Sequence, residues 1–192
     1  MSLQQQLDKF SPIDLKQMDR VKLLKRTDTK YLLSKTTLIE LLPDLLDHYF
    51  ALEIKGKREA SYQTTYLDTV NKDYYFQHHQ GKPKRHKVRF RNYVESNLSF
   101  LEVKLKHKGA TDKKRISSPF TFPMSKNQET FLQEWIPENP AYLKQILQNT
   151  FSRITLAHKT EEERVTIDFN LKFEDQNNKV DLSEPIIIEV KQ

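Results

Sequence analysis

Basic side chains recur at alternate positions between Arg85 and Lys106, where two alternating segments are joined by a polar turn. Successive side chains of a β-strand point to opposite faces of the sheet. The pattern therefore predicts a β-hairpin with one apolar face and one basic face, and Ser96-Asn97 supplies residues that favour a turn. Arg89 and Arg91 are candidate anion ligands, because guanidinium groups bind phosphate oxygens in a forked geometry.

The same alternation places further charged residues on one face of other predicted strands. Acidic residues are fewer than basic ones in this set, and magnesium and manganese prefer oxygen ligands. A few carboxylates among many cations are what a divalent cation that bridges protein and phosphate would need. The basic members are Arg26, Lys30, Lys87, Arg89, Arg91, Lys104, Lys106, Arg164 and Lys191, and the acidic members are Asp28, Glu102, Asp168 and Glu189.

The elements that position these residues form an α+β pattern of about eight mostly antiparallel strands and three or four helices. Residues 21–33 and 61–68 are predicted strands, and most of the last quarter of the chain is predicted to be β-strand. Leucines at helical spacing predict a helix over 35–48. The spacing in 125–148 predicts two further helices, interrupted at Pro137 and Pro140.

Two arrangements fit the charged faces. In the first, each face meets solvent, as is usual for an antiparallel sheet. In the second, the sheet closes into a barrel with the helices packed outside, and the charged faces line a polar lumen. The second arrangement needs a polyanion in the lumen, because unpaired buried charge is costly.

Composition restricts the class of protein and of partner. A chain of 192 residues is long enough for one core, so we expect a single domain over residues 1–192. The formal charge of +6 favours an anionic partner. The absence of cysteine excludes thiolate metal sites, and three glycines are too few for a phosphate-binding glycine loop. No membrane segment or signal peptide is visible, so a cytoplasmic location is expected.

Nine short segments of the chain, in order, resemble the vacuolar transporter chaperone (VTC) domain, the polyphosphate polymerase branch of the triphosphate tunnel metalloenzymes (the CYTH-like superfamily), in its bacterial form. The segments are Arg26-Thr27-Asp28-Thr29-Lys30-Tyr31, Tyr62 to Thr69, His79-Gln80-Gly81, Lys87 to Tyr93, Phe100 to Lys104, Lys113-Lys114-Arg115-Ile116, Phe151 to Leu156, Glu163 to Asp168, and Ile188-Glu189-Val190-Lys191.

The resemblance implies a closed antiparallel eight-stranded β-barrel, a triphosphate tunnel, with helices packed outside. It also implies that Glu189 holds a manganese (Mn2+) or magnesium (Mg2+) ion. Strand alternation adds Arg115, Arg164 and Lys191 as further phosphate-binding candidates, and the register leaves Lys114 as an alternative to Lys113. The residues that the resemblance places on phosphates are Arg26, Lys30, Arg89, Arg91, Lys104, Lys113 and Arg153.

The implied activity is transfer of the γ-phosphate of a nucleoside triphosphate onto inorganic polyphosphate, with Lys30, Arg89, Arg91 and Lys104 in the catalytic set. A tripolyphosphatase or nucleoside triphosphatase is an alternative, because the same phosphate-binding residues could hold the triphosphate while water acts as the acceptor. A non-catalytic module that binds polyphosphate or RNA is another, and DNA is not an expected partner. In the hairpin only Tyr93 is predicted to share the face of the two arginines, which argues against RNA.

The family domain continues past its Glu-x-Lys strand into a helical segment with a further basic residue, whereas this chain stops at Gln192. We therefore expect either a truncated domain or a tunnel left open at one end. Phe151 stands where fungal members have a tyrosine, so a hydroxyl contact is expected to be missing. We also expect a membrane-associated partner outside this chain, whose identity the sequence does not indicate.

Overall fold

The computed structural model describes residues 2–18, 27–108 and 110–192, and within them it has the predicted α+β composition. No helix in this described part is long and apolar enough to cross a bilayer.

The helices are α1 (Leu3–Leu7), α2 (Leu15–Met18), α3 (Lys35–Leu45), α4 (Asp73–His79) and α5 (Lys126–Trp135). The strands are β1 (Ser11–Ile13), β2 (Asp28–Leu33), β3 (Tyr49–Leu52), β4 (Ala60–Asp68), β5 (Lys84–Tyr93), β6 (Leu98–His107), β7 (Ala110–Ser117), β8 (Lys144–His158), β9 (Arg164–Glu174), β10 (Lys179–Leu182) and β11 (Ile186–Lys191).

The chain folds into two compact units. The first comprises Met1–Ser61, Thr150–Lys172 and Asp181–Gln192, and the second comprises Tyr62–Asn149 and Phe173–Val180.

In the first unit, antiparallel pairing joins β2 to β11 and β11 to β9. Helix α3 covers the apolar face of this unit. The Ser34 side chain caps its N-terminus by accepting a hydrogen bond from the Thr37 amide at 3.1 Å. Leu38 and Leu42, one turn apart, are fully buried in a core that also contains Ile154, Ile167 and Ile188.

In the second unit, β4, β5, β6 and β7 pair in that order as antiparallel neighbours. The predicted hairpin is confirmed, because β5 and β6 pair along their full length and Asn97 takes the left-handed conformation in the turn (φ 54°). Val88, Leu101 and Val103 point to the opposite face from the charged residues. They are buried in a core with Leu132 of α5, so the apolar face does lie under a helix.

The predicted closed barrel is not confirmed. Among the described residues, the hydrogen-bonded partner of β2 is β11 alone, and that of β7 is β6 alone. Each of these two strands therefore keeps one edge without a ladder of backbone hydrogen bonds. The tunnel stays a prediction, whereas the α+β class and the mainly antiparallel pairing are confirmed.

Two predicted boundaries are wrong. In place of the second helix expected within 125–148, the structure has a short 3-10 helix, Pro140–Tyr142, and then the start of β8, a strand of 15 residues. Helix α5 ends at Trp135, before Pro137, and sheet pairing determines the conformation from Lys144 onward. The residues from His78 to Gly81 favour a turn by their types, whereas helix α4 continues to His79. The predicted strand over 21–33 is described only from Asp28, since residues 21–26 lie outside the described residues.

Candidate functional site

The register of the second unit places the charged residues of three strands in rows on one face. Arg89 of β5 lies opposite Glu102 of β6, and Glu102 lies opposite Arg115 of β7. In the next row Lys104 lies between Lys87 and Lys113. By alternation this basic face of β5–β7 carries eight cations and one carboxylate. They are Arg85, Lys87, Arg89, Arg91, Lys104, Lys106, Lys113 and Arg115, with Glu102.

A buried ion-pair cluster centres on Glu102, whose side chain is fully buried. Its Oε2 accepts from Nε of Arg89 at 2.8 Å and lies 2.8 Å from Nη2, and its Oε1 contacts the Lys113 ammonium. Burial raises the pKa of the Glu102 carboxyl, but the charges of Arg89 and Lys113 and their hydrogen bonds outweigh burial and lower it. Glu102 is therefore ionised and fixes the position of both cations.

Arg91 has no carboxylate partner within the described part of the chain. It is half-buried, its Nε lies 3.3 Å from the Thr64 hydroxyl, and its guanidinium carbon lies 5.8 Å from the centre of the Tyr62 ring. These neutral contacts orient the guanidinium group without neutralising it, so Arg91 keeps its charge for an anion.

Lys104 is half-buried and makes no hydrogen bond or ion pair with the described residues. Burial and the charges of Arg89, Lys113 and Arg91 lower the pKa of its ammonium group to about 8, although Glu102 opposes the shift. A partly desolvated cation among other cations is costly. An anion bound beside Lys104 would relieve this cost.

The structure resolves the register at β7. Lys113 lies on the basic face, whereas Lys114 lies on the opposite face with its ammonium 4.7 Å from the centre of the Trp135 ring. Arg115 is exposed on the basic face and its guanidinium carbon lies 4.3 Å from the Phe100 ring centre.

The prediction that only Tyr93 shares the arginine face is wrong. Phe100 of β6 pairs with Arg91, so its ring is also on the basic face. Tyr62 and Tyr66 of β4 join them by register. The rings of Phe100 and Tyr62 lie under arginine side chains, and the rings of Tyr62 and Tyr93 meet edge to face at 5.0 Å.

The first unit holds a second charged cluster, in which Glu189 of β11 lies opposite Lys30 of β2. The Glu189 carboxylate contacts the Lys30 ammonium through Oε1, and its Oε2 lies 2.6 Å from the ammonium of Lys191. Lys191 is buried and also donates to the Thr166 hydroxyl at 2.9 Å. Burial raises the pKa of Glu189, but the hydrogen bonds and charges of Lys191 and Lys30 outweigh it and lower the pKa to about 2.

Two further candidates of the first unit have partners of their own. Arg153 of β8 forms a two-pronged ion pair with Asp168, with nitrogen–oxygen distances of 2.5 and 2.6 Å. Arg164 donates to the Met18 carbonyl oxygen at 3.2 Å. Phe151, at the position where a tyrosine hydroxyl was expected to be missing, contacts Arg153 through its ring. The guanidinium carbon of Arg153 lies 5.2 Å from the centre of this ring.

The donor set around Glu189 decides what kind of metal could bind. Within the described ranges, no group of three or more histidine, aspartate or glutamate side chains is placed to hold a metal ion. Glu189 is ionised, and each carboxylate oxygen has a second lone pair beyond the one used by a lysine. The residues therefore fit a cation that takes one protein carboxylate and draws its other ligands from phosphate oxygens and water.

The structure thus divides the sequence candidates between two charged faces. Arg89, Arg91, Lys104, Lys113 and Arg115 lie together in the second unit, and Lys30, Arg153, Arg164, Lys191 and Glu189 lie in the first. Arg26 lies outside the described residues. Sequence reasoning missed Thr64 and Thr166, whose hydroxyls contact Arg91 and Lys191. Strand alternation could have found both, because each occupies a position on a charged face.

Comparisons with solved structures show that this fold occurs in other proteins. A Bacillus halodurans protein whose name gives adenylate cyclase as a proposed activity has a TM-score of 0.54 at 16% identity, over 86% of this chain and 79% of that one. The PH1819 protein of Pyrococcus horikoshii has a TM-score of 0.50 at 12% identity, over 88% of this chain and 77% of that one.

A third solved structure and the curated sequences add no further support. HpAC1 from Hippeastrum, described as a proposed adenylyl cyclase with a dominant triphosphatase activity, is 12% identical over 88% of this chain and 80% of that one. Its TM-score of 0.45 is too low to support an inference. No curated protein sequence gives a match.

The comparison with family models agrees with the ordered motifs and with the strands that carry them. The model of the VTC domain matches residues 25–192, which is most of the chain and includes every strand of both charged faces. The chain belongs to the VTC domain family.

Proposed function

We propose that this protein is a metal-dependent phosphotransferase of the polyphosphate polymerase branch, in its bacterial form. It transfers the γ-phosphate of a nucleoside triphosphate onto the end of a polyphosphate chain. The observation that supports the proposal is the uncompensated charge of the basic face of β5–β7. This face has one carboxylate for eight cations, and several of the cations, Arg91 and Lys104 among them, lack acidic partners in the described part of the chain.

Phosphoryl transfer requires mainly alignment and neutralisation of charge on the phosphate oxygens. In our proposal a terminal oxygen of the acceptor chain attacks the γ-phosphorus, and the bond from that phosphorus to the bridging oxygen of the β-phosphate breaks. The nucleoside diphosphate leaves with the electron pair. Arg89 and Arg91 hold the transferred group, and Lys104 neutralises charge beside them. Glu102 acts through Arg89 and Lys113 as a positioning residue.

The remaining candidates are proposed to bind substrate phosphates. Lys113 and Arg115 extend the basic face of the second unit. In the first unit Glu189 is proposed as the ligand of manganese or magnesium, and such a cation would supply further neutralisation of phosphate charge. The other proposed phosphate ligands are Arg26, Lys30, Arg153, Arg164 and Lys191.

Incubation of the protein with ATP and Mn2+, followed by separation of long-chain polyphosphate from orthophosphate, tests the proposal. Long chains are the expected product. Orthophosphate alone would instead identify a triphosphatase in which water is the acceptor. If neither polyphosphate nor orthophosphate forms although tripolyphosphate binds tightly, the protein is a binding module and the enzymatic proposal is overturned.

A further inference from the structure

An aromatic cleft in the second unit lies next to the basic face. It has a volume of about 510 Å3, and all of its lining residues belong to this unit. Its wall is largely apolar, with Tyr74, Tyr75 and Phe76 from α4 and Phe173 from β9. This size and lining are typical of pockets that bind small organic ligands.

Two rings at this cleft are left open to solvent. Tyr75 is 56% exposed and Phe76 is 46% exposed, and their rings meet edge to face at 5.3 Å. A single exposed aromatic residue needs no explanation, whereas two adjacent rings beside a cleft form an apolar surface that can receive a third ring.

The backbone holds these rings in place through Asp68. Its two carboxylate oxygens accept hydrogen bonds from the amides of Tyr74 and Tyr75, each at 2.9 Å. Asp68 itself is buried and ends β4, so the sheet fixes the start of α4. The aromatic wall is therefore built on a strand end, in a position set before any ligand binds.

Lys87 connects the cleft to the basic face. It lines the cleft and lies opposite Lys104, two residues before Arg89 on β5. It makes no hydrogen bond or ion pair with the described residues. The backbone from Lys87 to Arg91 spans four residues, or about 13 Å at the rise of a β-strand. A ligand that enters the cleft at one end can thus place an anionic chain along the arginines.

We propose that this aromatic cleft binds the base of the nucleoside triphosphate whose phosphates lie along Lys87, Arg89 and Arg91. The inference rests on the proposed function and adds a binding site for the base of the donor nucleotide. A flat ring joined to a polyanion matches an aromatic wall that adjoins a row of cations. Inorganic polyphosphate has no ring, so its binding does not use Tyr75 or Phe76.

Calorimetric titration of ATP and of tripolyphosphate, both without divalent metal so that no turnover occurs, tests the inference. The double variant Tyr75→Ala/Phe76→Ala should bind ATP about tenfold more weakly, as expected for loss of stacking on a base. Its affinity for tripolyphosphate should change less than twofold, which also shows that the variant is folded. Tyr142→Ala, which removes an exposed tyrosine that does not line the cleft, should leave both affinities unchanged.

Saturation-transfer NMR on the unmodified protein provides a readout that needs no variant. The H2 and H8 protons of the ATP base should receive saturation from the protein. No saturation on the base, while tripolyphosphate still displaces ATP, would overturn the inference and leave the proposed function standing. Unchanged affinity of the double variant for both ATP and tripolyphosphate would also overturn the inference and leave the proposed function standing. Failure of the unmodified protein to bind tripolyphosphate would overturn the proposed function, and the inference with it.

Discussion

At the scale of single residues, the protonation of Lys104 is coupled to anion binding. Its positive charge lies close to those of Arg89, Arg91 and Lys113, and Glu102 provides the only nearby negative charge among the groups that shift its pKa. In the free protein the pKa of Lys104 is about 8. A bound polyphosphate stabilises the ammonium form of Lys104. Binding should therefore raise this pKa, and the affinity for polyphosphate should be higher at low pH.

We expect tripolyphosphate affinity to fall about tenfold between pH 7 and pH 9, because Lys104 loses its proton over this range. Lys104→Arg keeps its charge throughout, so this variant should show a smaller fall in affinity. Calorimetric titration at the two pH values checks the prediction, with Lys114→Arg on the opposite face of the sheet as the control. An identical pH dependence in Lys104→Arg and the unmodified protein would contradict it.

Glu189 should contribute to stability in a pH-dependent way. Its pKa is about 2, below the ordinary value of 4.5. A carboxyl whose pKa is lowered by folding stabilises the native state above its unfolded pKa, and this contribution is lost as the pH falls through the folded pKa. The relevant range is therefore from about pH 5 down to pH 2.

We expect Glu189→Gln to lower the free energy of unfolding near pH 6 by roughly 2 kcal/mol, a value reduced to allow for the exposure of Lys30. Urea unfolding at pH 6, 4 and 3 measures the difference from the unmodified protein, which should narrow as the pH falls. Glu134→Gln, at an exposed carboxyl of α5 outside both clusters, is the control. A difference that stays constant with pH would show that the ion pairs of Glu189 do not set its pKa.

At the scale of secondary-structure elements, strand alternation assigns neighbouring lysines of β7 to opposite faces. Lys113 contacts the buried Glu102, whereas Lys114 lies over Trp135. Lys113→Ala should therefore weaken tripolyphosphate binding about tenfold, because it removes one cation and leaves Glu102 less neutralised.

Lys114→Ala is the matched control for this prediction. It removes the same charge from the adjacent position, on the face away from the proposed phosphate site. Its affinity for tripolyphosphate should stay within twofold of the unmodified protein in the same titration. Equal losses in the two variants would mean that overall charge, rather than the basic face, determines binding.

The sequence was sufficient to predict the hairpin, because its alternation has a period of two over two consecutive segments and the turn residues are favourable. The same rule placed Arg89, Glu102 and Arg91 on one face. It could not predict that β8 begins at Lys144, since Ile146 and Leu147 suit a helix or a strand and only sheet pairing decides. Nor could it predict the contact between Arg153 and Asp168, which lie on different strands at a register that local residues do not specify.

At the scale of the whole molecule, both units follow one rule, with apolar side chains under helices and charged side chains on the opposite face of the strands. The charge balance of the two faces differs. In the described part of the first unit, the cations Lys30, Arg153, Arg164 and Lys191 share their face with Asp28, Asp168 and Glu189. The face of β5–β7 has Glu102 as its one carboxylate, so it should attract polyanions more strongly.

Arg91 offers the most direct test of the claim that this face binds phosphate. Its removal leaves no carboxylate unpaired, unlike removal of Arg89, because its described contacts are with Thr64 and Tyr62. A loss of binding in Arg91→Ala can therefore be attributed to the missing guanidinium group. Lys126→Ala, which removes an exposed charge from α5, controls for net charge.

The decisive measurement is the dissociation constant of tripolyphosphate for the full chain and for these two variants, determined by calorimetric titration at one pH and salt concentration. We expect Arg91→Ala to bind tripolyphosphate at least tenfold more weakly, as expected for loss of a charge-assisted contact, and Lys126→Ala to bind it with unchanged affinity. Unchanged affinity in a folded Arg91→Ala variant would contradict the assignment of this face as the phosphate site.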